Sequence, residues 1–329
     1  MAFVKVKKMP INQSVGQVLL HNQTGPNGKK VLKKGQVLTS ADVETLDTLG
    51  KEAVYVAILD QNDIAENEAA QQLGTALKSD HLTLSTATTG RVNLIATTAG
   101  VLKINLTGLL ALNEGPGITL ATLPTNTVVS PKKIVGTNKI IPYSVSQQDL
   151  QTALTIIAEQ APIISLNPFT TKQAVLITTG SEAAQQKVTA DFTPALRDRF
   201  AAYGAELIEG PYVAEDEAAI SQALQWALNS EADIILMAGE TSIMDPDDIA
   251  PRAIKAIGGE IIHHGVPVEP GNLLLLAYHG QTPLVGAPGC AKSKHFNVVD
   301  MVLPRLASGE RLTRRDLIAL GHGGYLLSK

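Results

Sequence analysis

The 329-residue chain has one cysteine, Cys290, which excludes an intrachain disulfide framework and a cysteine-rich zinc site. It has no apolar run of the roughly 20 residues that a membrane-crossing helix needs, so no membrane span is expected. Met1 to Met9 carries lysines without a following apolar segment of signal-peptide length, and a cytoplasmic location is the expectation. Positive charge is not in excess either. The formal net charge is −4 and the basic residues are dispersed, which argues against a broad nucleic-acid surface. Neither a Walker loop nor a Gly-x-Gly-x-x-Gly fingerprint occurs, so an ordinary nucleotide-binding fold is not supported. His263 and His264 are adjacent, point to opposite faces of a strand, and have no third ligand at matching spacing.

What the chain has is apolar content, 44% against 18% charged residues, enough for a sizeable core in two or three domains. The first part, 1–170, reads as a β-rich α+β region, divisible near 78 and 79. Thr39 or Ser40 caps a helix that Gly50 stops, and 63–77 reads as a helix with Glu66 and Glu68 on a solvated face. Asn67 is a candidate for a bond across a domain contact. The runs 90–96 and 100–105 read as neighbouring strands, 147–161 as an amphipathic helix, and 165–172 as a hinge.

From 171 to 329 strands and helices alternate. The run Ala174-Val175-Leu176-Ile177 is too continuously apolar for a half-exposed strand and suits a central parallel one. Helices are expected over 181–203, 215–229, about 247–257 and 290–306, with strands at 205–208, 233–237, 272–277 and 283–287. Pro251 makes the third helix start late or kink. This is a doubly wound, mostly parallel α/β pattern of three layers.

In such sheets ligands bind beyond the carboxyl ends of the strands. Three strand ends carry chemistry here. Thr179-Gly180-Ser181-Glu182 offers hydroxyls and glycine-exposed amides. Gly239-Glu240-Thr241-Ser242, leading to Asp245, Asp247 and Asp248, offers hydroxyls and carboxylates. Pro288-Gly289-Cys290-Ala291-Lys292-Ser293-Lys294 turns from a strand into an expected helix, with amides and lysines suited to an anion, most often a phosphate. Cys290 would lie on that helix N-terminus, where thiol pKa values fall, but with no His or Asp partner nearby in sequence it reads as a buried structural cysteine rather than a nucleophile. A second Pro-Gly corner lies upstream at Pro270-Gly271. Each turn alone also reads as a cap or a plain corner; together on one sheet they read as a cleft.

These motifs resemble the molybdopterin-binding domain of molybdenum cofactor biosynthesis proteins. Thr179-Gly180-Ser181-Glu182 is similar to that family's Thr-Gly-Asp-Glu turn, and Pro288-Gly289-Cys290-Ala291 to its Pro-Gly-Asn-Pro turn. Ala232-Asp233-Ile234-Ile235 with Gly239-Glu240-Thr241-Ser242 resembles its Ala-Asp strand and Gly-Gly-x-Ser loop, with Glu240 at the second glycine. The likeness is closer to a bacterial subgroup often fused to a nucleotidyltransferase. It extends through Gly258-Gly259, the run 267–274 and Gly321-His322-Gly323-Gly324, and in the first half through Glu66-Asn67-Glu68-Ala69-Ala70 and Gly90-Arg91-Val92-Asn93-Leu94. Glu269 and Asn272 flank a Pro-Gly turn where the molybdotransferase branch usually carries lysines.

The resemblance implies binding of molybdopterin or molybdenum cofactor through phosphate and pterin, in biosynthesis or hand-over to a nucleotidyltransferase or molybdoenzyme. The phosphate would sit on amides at 180–182 and 289–292, helped by Lys292 and Ser293, with Thr179, Gly239 to Ser242 and Asp248 lining the site. Asp233 and Asp245 are the candidate catalytic acids, Asp245 and Asp247 the candidate magnesium ligands. A homo-oligomer, dimer or trimer, is implied. The alternatives are a molybdotransferase-like enzyme inserting molybdate into adenylated molybdopterin, and a scaffold or regulatory protein with a vestigial pocket.

Overall fold

The computed structural model describes residues 5–58 and 62–326, which divide into two compact units, 5–98 with 102–166 and 99–101 with 167–326.

The first unit holds two cores. Leu19, Leu32, Leu38, Leu46, Val54 and Val56 pack between the helix Ser40–Thr48 and an antiparallel sheet ordered Lys5–Pro10, Ala53–Ile58, Val18–Leu19. Thr39 caps that helix: its hydroxyl accepts from the Asp42 amide, and the Asp42 carboxylate accepts from the Thr39 amide at 2.9 Å. The second core lies under the four-stranded antiparallel sheet Ile118–Thr122, Ile134–Ile140, Arg91–Ala96, Leu82–Leu84 and the helices Glu66–Leu77 and Gln147–Glu159. Helix 66–77, grouped by sequence with residues before 78, thus contributes its Ala69, Ala70, Leu73 and Leu77 to the later core.

Three expectations in this unit are corrected. Strand 91–96 pairs with 82–84 and 134–140, not with the strand that follows it in sequence. Glu66 is buried rather than solvated, with Lys139 Nζ 3.5 Å from its carboxylate, whereas Glu68 is exposed. The Asn67 side chain bonds within this unit rather than across a domain contact, its Oδ1 accepting from the Gly90 amide at 2.8 Å.

The second unit is a three-layer α/β domain. Its elements run β1 (Gln173–Thr179), α1 (Gln185–Ala202), β2 (Glu206–Val213), α2 (Glu217–Asn229), β3 (Ile234–Gly239), α3 (Ile249–Ala256), β4 (Glu260–His264), β5 (Leu275–His279), β6 (Thr282–Gly286), α4 (Val298–Ala307) and α5 (Arg314–Ala319). The sheet order is β2-β1-β3-β6-β5-β4, parallel from β2 to β6 and antiparallel at β5 and β4. Alternate residues of β1 and β3 face opposite layers. Ala174, Leu176, Ile234 and Leu236 pack with α1 and α4, while Val175, Ile177, Ile235 and Met237 pack with α2 and α3. Both faces being covered explains the unbroken apolar runs.

Pro251 occupies the first turn of α3, where the amide it lacks would have no partner in any case, so the helix simply starts at Ile249. The expected helix over 290–306 is two elements. Residues Gly289–Lys292 form a short 3-10 turn, and α4 begins at Val298, where Asn297 and Asp300 form a capping box. That box supplies a start signal that the Pro-Gly turn does not.

Candidate functional site

The carboxyl ends of β1, β2 and β3 lie side by side, and their side chains interlock. The Glu240 amide donates to the Thr179 carbonyl at 2.9 Å and extends the β1–β3 ladder past Gly239. From there the Glu240 side chain turns back over β1: both the Ser181 amide and the Ser181 hydroxyl donate to its Oε2 at 2.9 Å. One strand over, the Thr241 amide and hydroxyl donate to Glu215 Oε1 at 3.2 and 2.8 Å. The Tyr212 hydroxyl donates to the Ser181 carbonyl at 2.6 Å. These bonds depress the Glu240 carboxyl pKa, the Ser181 amide contributing most. Burial, then the Glu240 and Glu215 charges, raise that of Tyr212.

Gly180 allows the close approach. A Cβ there would stand 2.5 Å from the Tyr212 hydroxyl and 2.9 Å from Glu240 Cβ, at a φ of +155°. Beneath the turns lies a cavity of about 50 Å³, lined by Thr179, Glu215, Gly239, Thr241, Ser242 and Asp248 among others. That is room for a few waters. The Ser242 hydroxyl faces Gly289, standing 4.0 Å from where its Cβ would be, and so joins the third strand end to the second.

The third strand end is held from behind. Arg199 on α1 is buried and donates to the carbonyls of Ala291, Ser293 and His295 and to both carboxylate oxygens of Asp300. Asn297 donates to the carbonyls of Cys290 and His295. The corner at Gly271 packs on Val298 and Cys290, so the two Pro-Gly corners meet at the thiol. Cys290 is half-buried, and burial raises its pKa; the lowered value expected of a helix N-terminus does not arise, because no α-helix begins there.

Several predicted residues fall elsewhere or serve the fold. Asp233 precedes β3 and lies at the amino end of the sheet, opposite the cleft. Its carboxylate accepts from the Lys172 and Gln173 amides at 2.7 and 3.0 Å, which closes the β1–β3 edge and gives it no access to a ligand at the other end. Asp245 accepts from the Asp247 amide at 2.8 Å, and Asp248 accepts from Met244 and Ile249. Asp245 and Asp247 are exposed, and among the described residues no group of three or more His, Cys, Asp or Glu side chains is placed to hold a metal ion. The acids thus shape their own turn and the α3 cap. Lys292 and Lys294 point to α1, near Asp191 at 3.8 Å and on Asp198 at 2.6 Å. Glu182 is exposed on the turn after β1.

Glu215, Tyr212 and Arg199 are the participants that sequence reading missed. The first two sit at the end of β2, and the strand-end rule used for its neighbours finds them if applied there as well. Arg199 lies on the apolar stripe of α1 with Phe192, Leu196 and Phe200, a placement that marks a charge held inside.

With this geometry in view, residues 175–308 match the model of a family described as a probable molybdopterin binding domain. The second unit is a domain of this family. The molybdopterin-binding domain so defined contains every strand end described above. Residues 8–58 match a second model, described as a domain of unknown function. No curated protein matches the chain.

Among solved structures, CinA of Thermoplasma acidophilum is 18% identical, with 37% of this chain and 90% of that one covered, at a TM-score of 0.32. A molybdopterin biosynthesis MoeA protein of Pyrococcus horikosii is 12% identical, with 93% and 76% covered, at 0.33. A putative molybdenum cofactor biosynthesis protein of Corynebacterium diphtheriae is 20% identical, with 42% and 97% covered, at 0.32. The assignment of the molybdopterin-binding domain rests on the family match over 175–308. No helix among the described residues is long and apolar enough to cross a membrane.

Proposed function

We propose that the protein binds molybdopterin or molybdenum cofactor at the carboxyl edge of its second unit, in cofactor biosynthesis or hand-over to a nucleotidyltransferase or molybdoenzyme. The observation that carries this reading is the family match over 175–308 combined with the convergence of three strand-end turns on one edge. The cavity is too small to enclose a pterin, so the ligand lies across its lip, over the exposed Ser181 and Thr241 and the half-buried Ser242. In this reading the phosphate lies on the backbone amides of the turn at Gly289–Lys292. Lys292 joins them readily, since its contact with Asp191 is solvent-exposed and such pairs hold by less than about 1 kcal/mol.

Binding fits these residues better than metal insertion does. Asp233 is at the wrong end of the sheet, and Asp245 and Asp248 hold their own turn. Mass spectrometry of ligand released from natively purified protein tests the proposal. A pterin carrying phosphate is expected; absence of any such ligand, together with no saturable binding of added molybdopterin, overturns it.

A further inference from the structure

We propose that Glu240 sets the specificity of this cleft by occupying its anion-binding donors, so that a ligand's anionic group reaches Ser181 only by displacing that carboxylate. The inference rests on reading the cleft as an anion site and does not depend on pterin as the ligand.

Four observations support it. The Ser181 amide and hydroxyl converge on a single oxygen, Glu240 Oε2, both at 2.9 Å, which is how a backbone N–H and a neighbouring hydroxyl grip one oxygen of a bound phosphate. The pattern repeats on the adjacent strand end, where the Thr241 amide and hydroxyl converge on Glu215 Oε1. Two donor pairs on one edge are thus each filled by a carboxylate from another strand end, Glu240 from the end of β3 and Glu215 from the end of β2.

The occupant is also pre-positioned. The Glu240 backbone is locked onto Thr179, and the absence of a side chain at Gly180 lets it come within reach of the turn. Finally, Glu240, Ser181 and Thr241 are exposed and Glu215 is half-buried, unlike carboxylates that tie a core together, so the Glu240 side chain can swing into water at little cost. Its depressed pKa keeps it charged at neutral pH.

A carboxylate held in place competes with any arriving anion both for the donors and by charge repulsion. A small free oxyanion brings nothing to offset that competition. A larger ligand does, because contacts elsewhere along the edge, at Ser242 and the Gly289 turn, contribute to displacing the side chain. Glu240 therefore selects against free phosphate and in favour of an anion attached to a body that the rest of the cleft recognises.

The test is calorimetric titration of the full chain with inorganic phosphate and pyrophosphate. Wild type is expected to show no binding in the low-millimolar range. Glu240→Ala is expected to bind at least roughly ten- to hundred-fold tighter, the range set by hydrogen bonds to charged groups. Adding Ser181→Ala to Glu240→Ala is expected to remove most of that gain. Glu240→Gln keeps the shape and an acceptor oxygen without the charge; it provides the comparison if the alanine variant folds poorly, and is expected to bind pyrophosphate tighter than wild type.

Equal affinities in wild type and both Glu240 variants, or a gain that survives Ser181→Ala, would overturn the proposal. A gain in phosphate affinity in a protein that binds no molybdopterin overturns the function proposed above and leaves this inference standing. Molybdopterin binding without any gain overturns only this inference.

Discussion

At Cys290 two effects compete. Burial favours the neutral thiol, while a hydrogen bond from the residue's own amide and the nearby Arg199 charge favour the thiolate; burial is the largest and the pKa goes up. Since the thiolate is the reacting species, native protein is expected to alkylate with iodoacetamide at neutral pH at least about ten-fold more slowly than in urea. Equal rates in the two states would mean that the thiol is open to solvent and poised for chemistry. Gly180 is a residue-scale constraint of another kind. Alanine there meets the Tyr212 hydroxyl and Glu240 Cβ, neither of which can retreat without breaking a bond described above. Gly180→Ala is expected to cost about 1–3 kcal/mol in urea unfolding, as overpacking does. An unchanged midpoint and slope would show that the turn is looser than its contacts suggest.

Among the elements, the loop between β6 and α4 depends on one side chain from α1. Arg199 bonds three carbonyls of that loop and pairs with Asp300, which also closes the α4 capping box through the Asn297 amide. Removing a buried ion-pair partner leaves the other charge uncompensated, which costs about 3–5 kcal/mol. Arg199→Met is accordingly expected to lower thermal stability and to open residues 289–297 to proteolysis before the rest of the unit, with limited digestion and sequencing of the cut site as the check. Cleavage elsewhere first would assign the loop's order to its own turn.

This arrangement also shows where sequence stops being legible. The parallel strands of the second unit and the three candidate turns follow from apolar runs and glycine placement, because both are local signals, whereas the antiparallel pairing of β5 and β4 does not. The division of 289–307 into a 3-10 turn and a later helix does not, since it is decided by a side chain ninety residues away. Nor does the fate of Asp233: its spacing resembles that of a site acid, while its position before rather than after β3 puts it at the opposite edge. Lys292 and Lys294 mislead for the same reason, their partners Asp191 and Asp198 being brought near only by the packing of α1. The Thr39 cap, by contrast, is wholly local and was readable. Asp42 in that capping box has a depressed pKa, owing first to the Thr39 amide. A carboxyl with a folded pKa below its unfolded value stabilises above the unfolded value and loses that contribution as pH falls through the folded one. Wild type is therefore expected to exceed Asp42→Asn in stability at pH 7 and to converge with it as the pH falls through the lowered value; parallel melting curves at all pH values would remove the box from the account.

At the scale of the whole molecule, the second unit holds its own core and the whole of the candidate cleft. Its two layers of core run from Ala174 to Leu320 on either side of one sheet, and every residue of the candidate cleft lies between Thr179 and Ser293. A chain of this size buries roughly 70% of the surface its unfolded form exposes, which is enough for a cooperative fold. Only residues 99–101 join the unit from elsewhere in the sequence. A fragment spanning 167–329 is thus expected to melt in one cooperative transition by circular dichroism and to bind molybdopterin with the affinity of the full chain. A fragment that folds but binds at least ten-fold more weakly would mean that the first unit supplies ligand contacts. One that fails to fold would assign to residues 99–101 a structural weight greater than their number, and adding that segment back through a linker would then be expected to restore the transition.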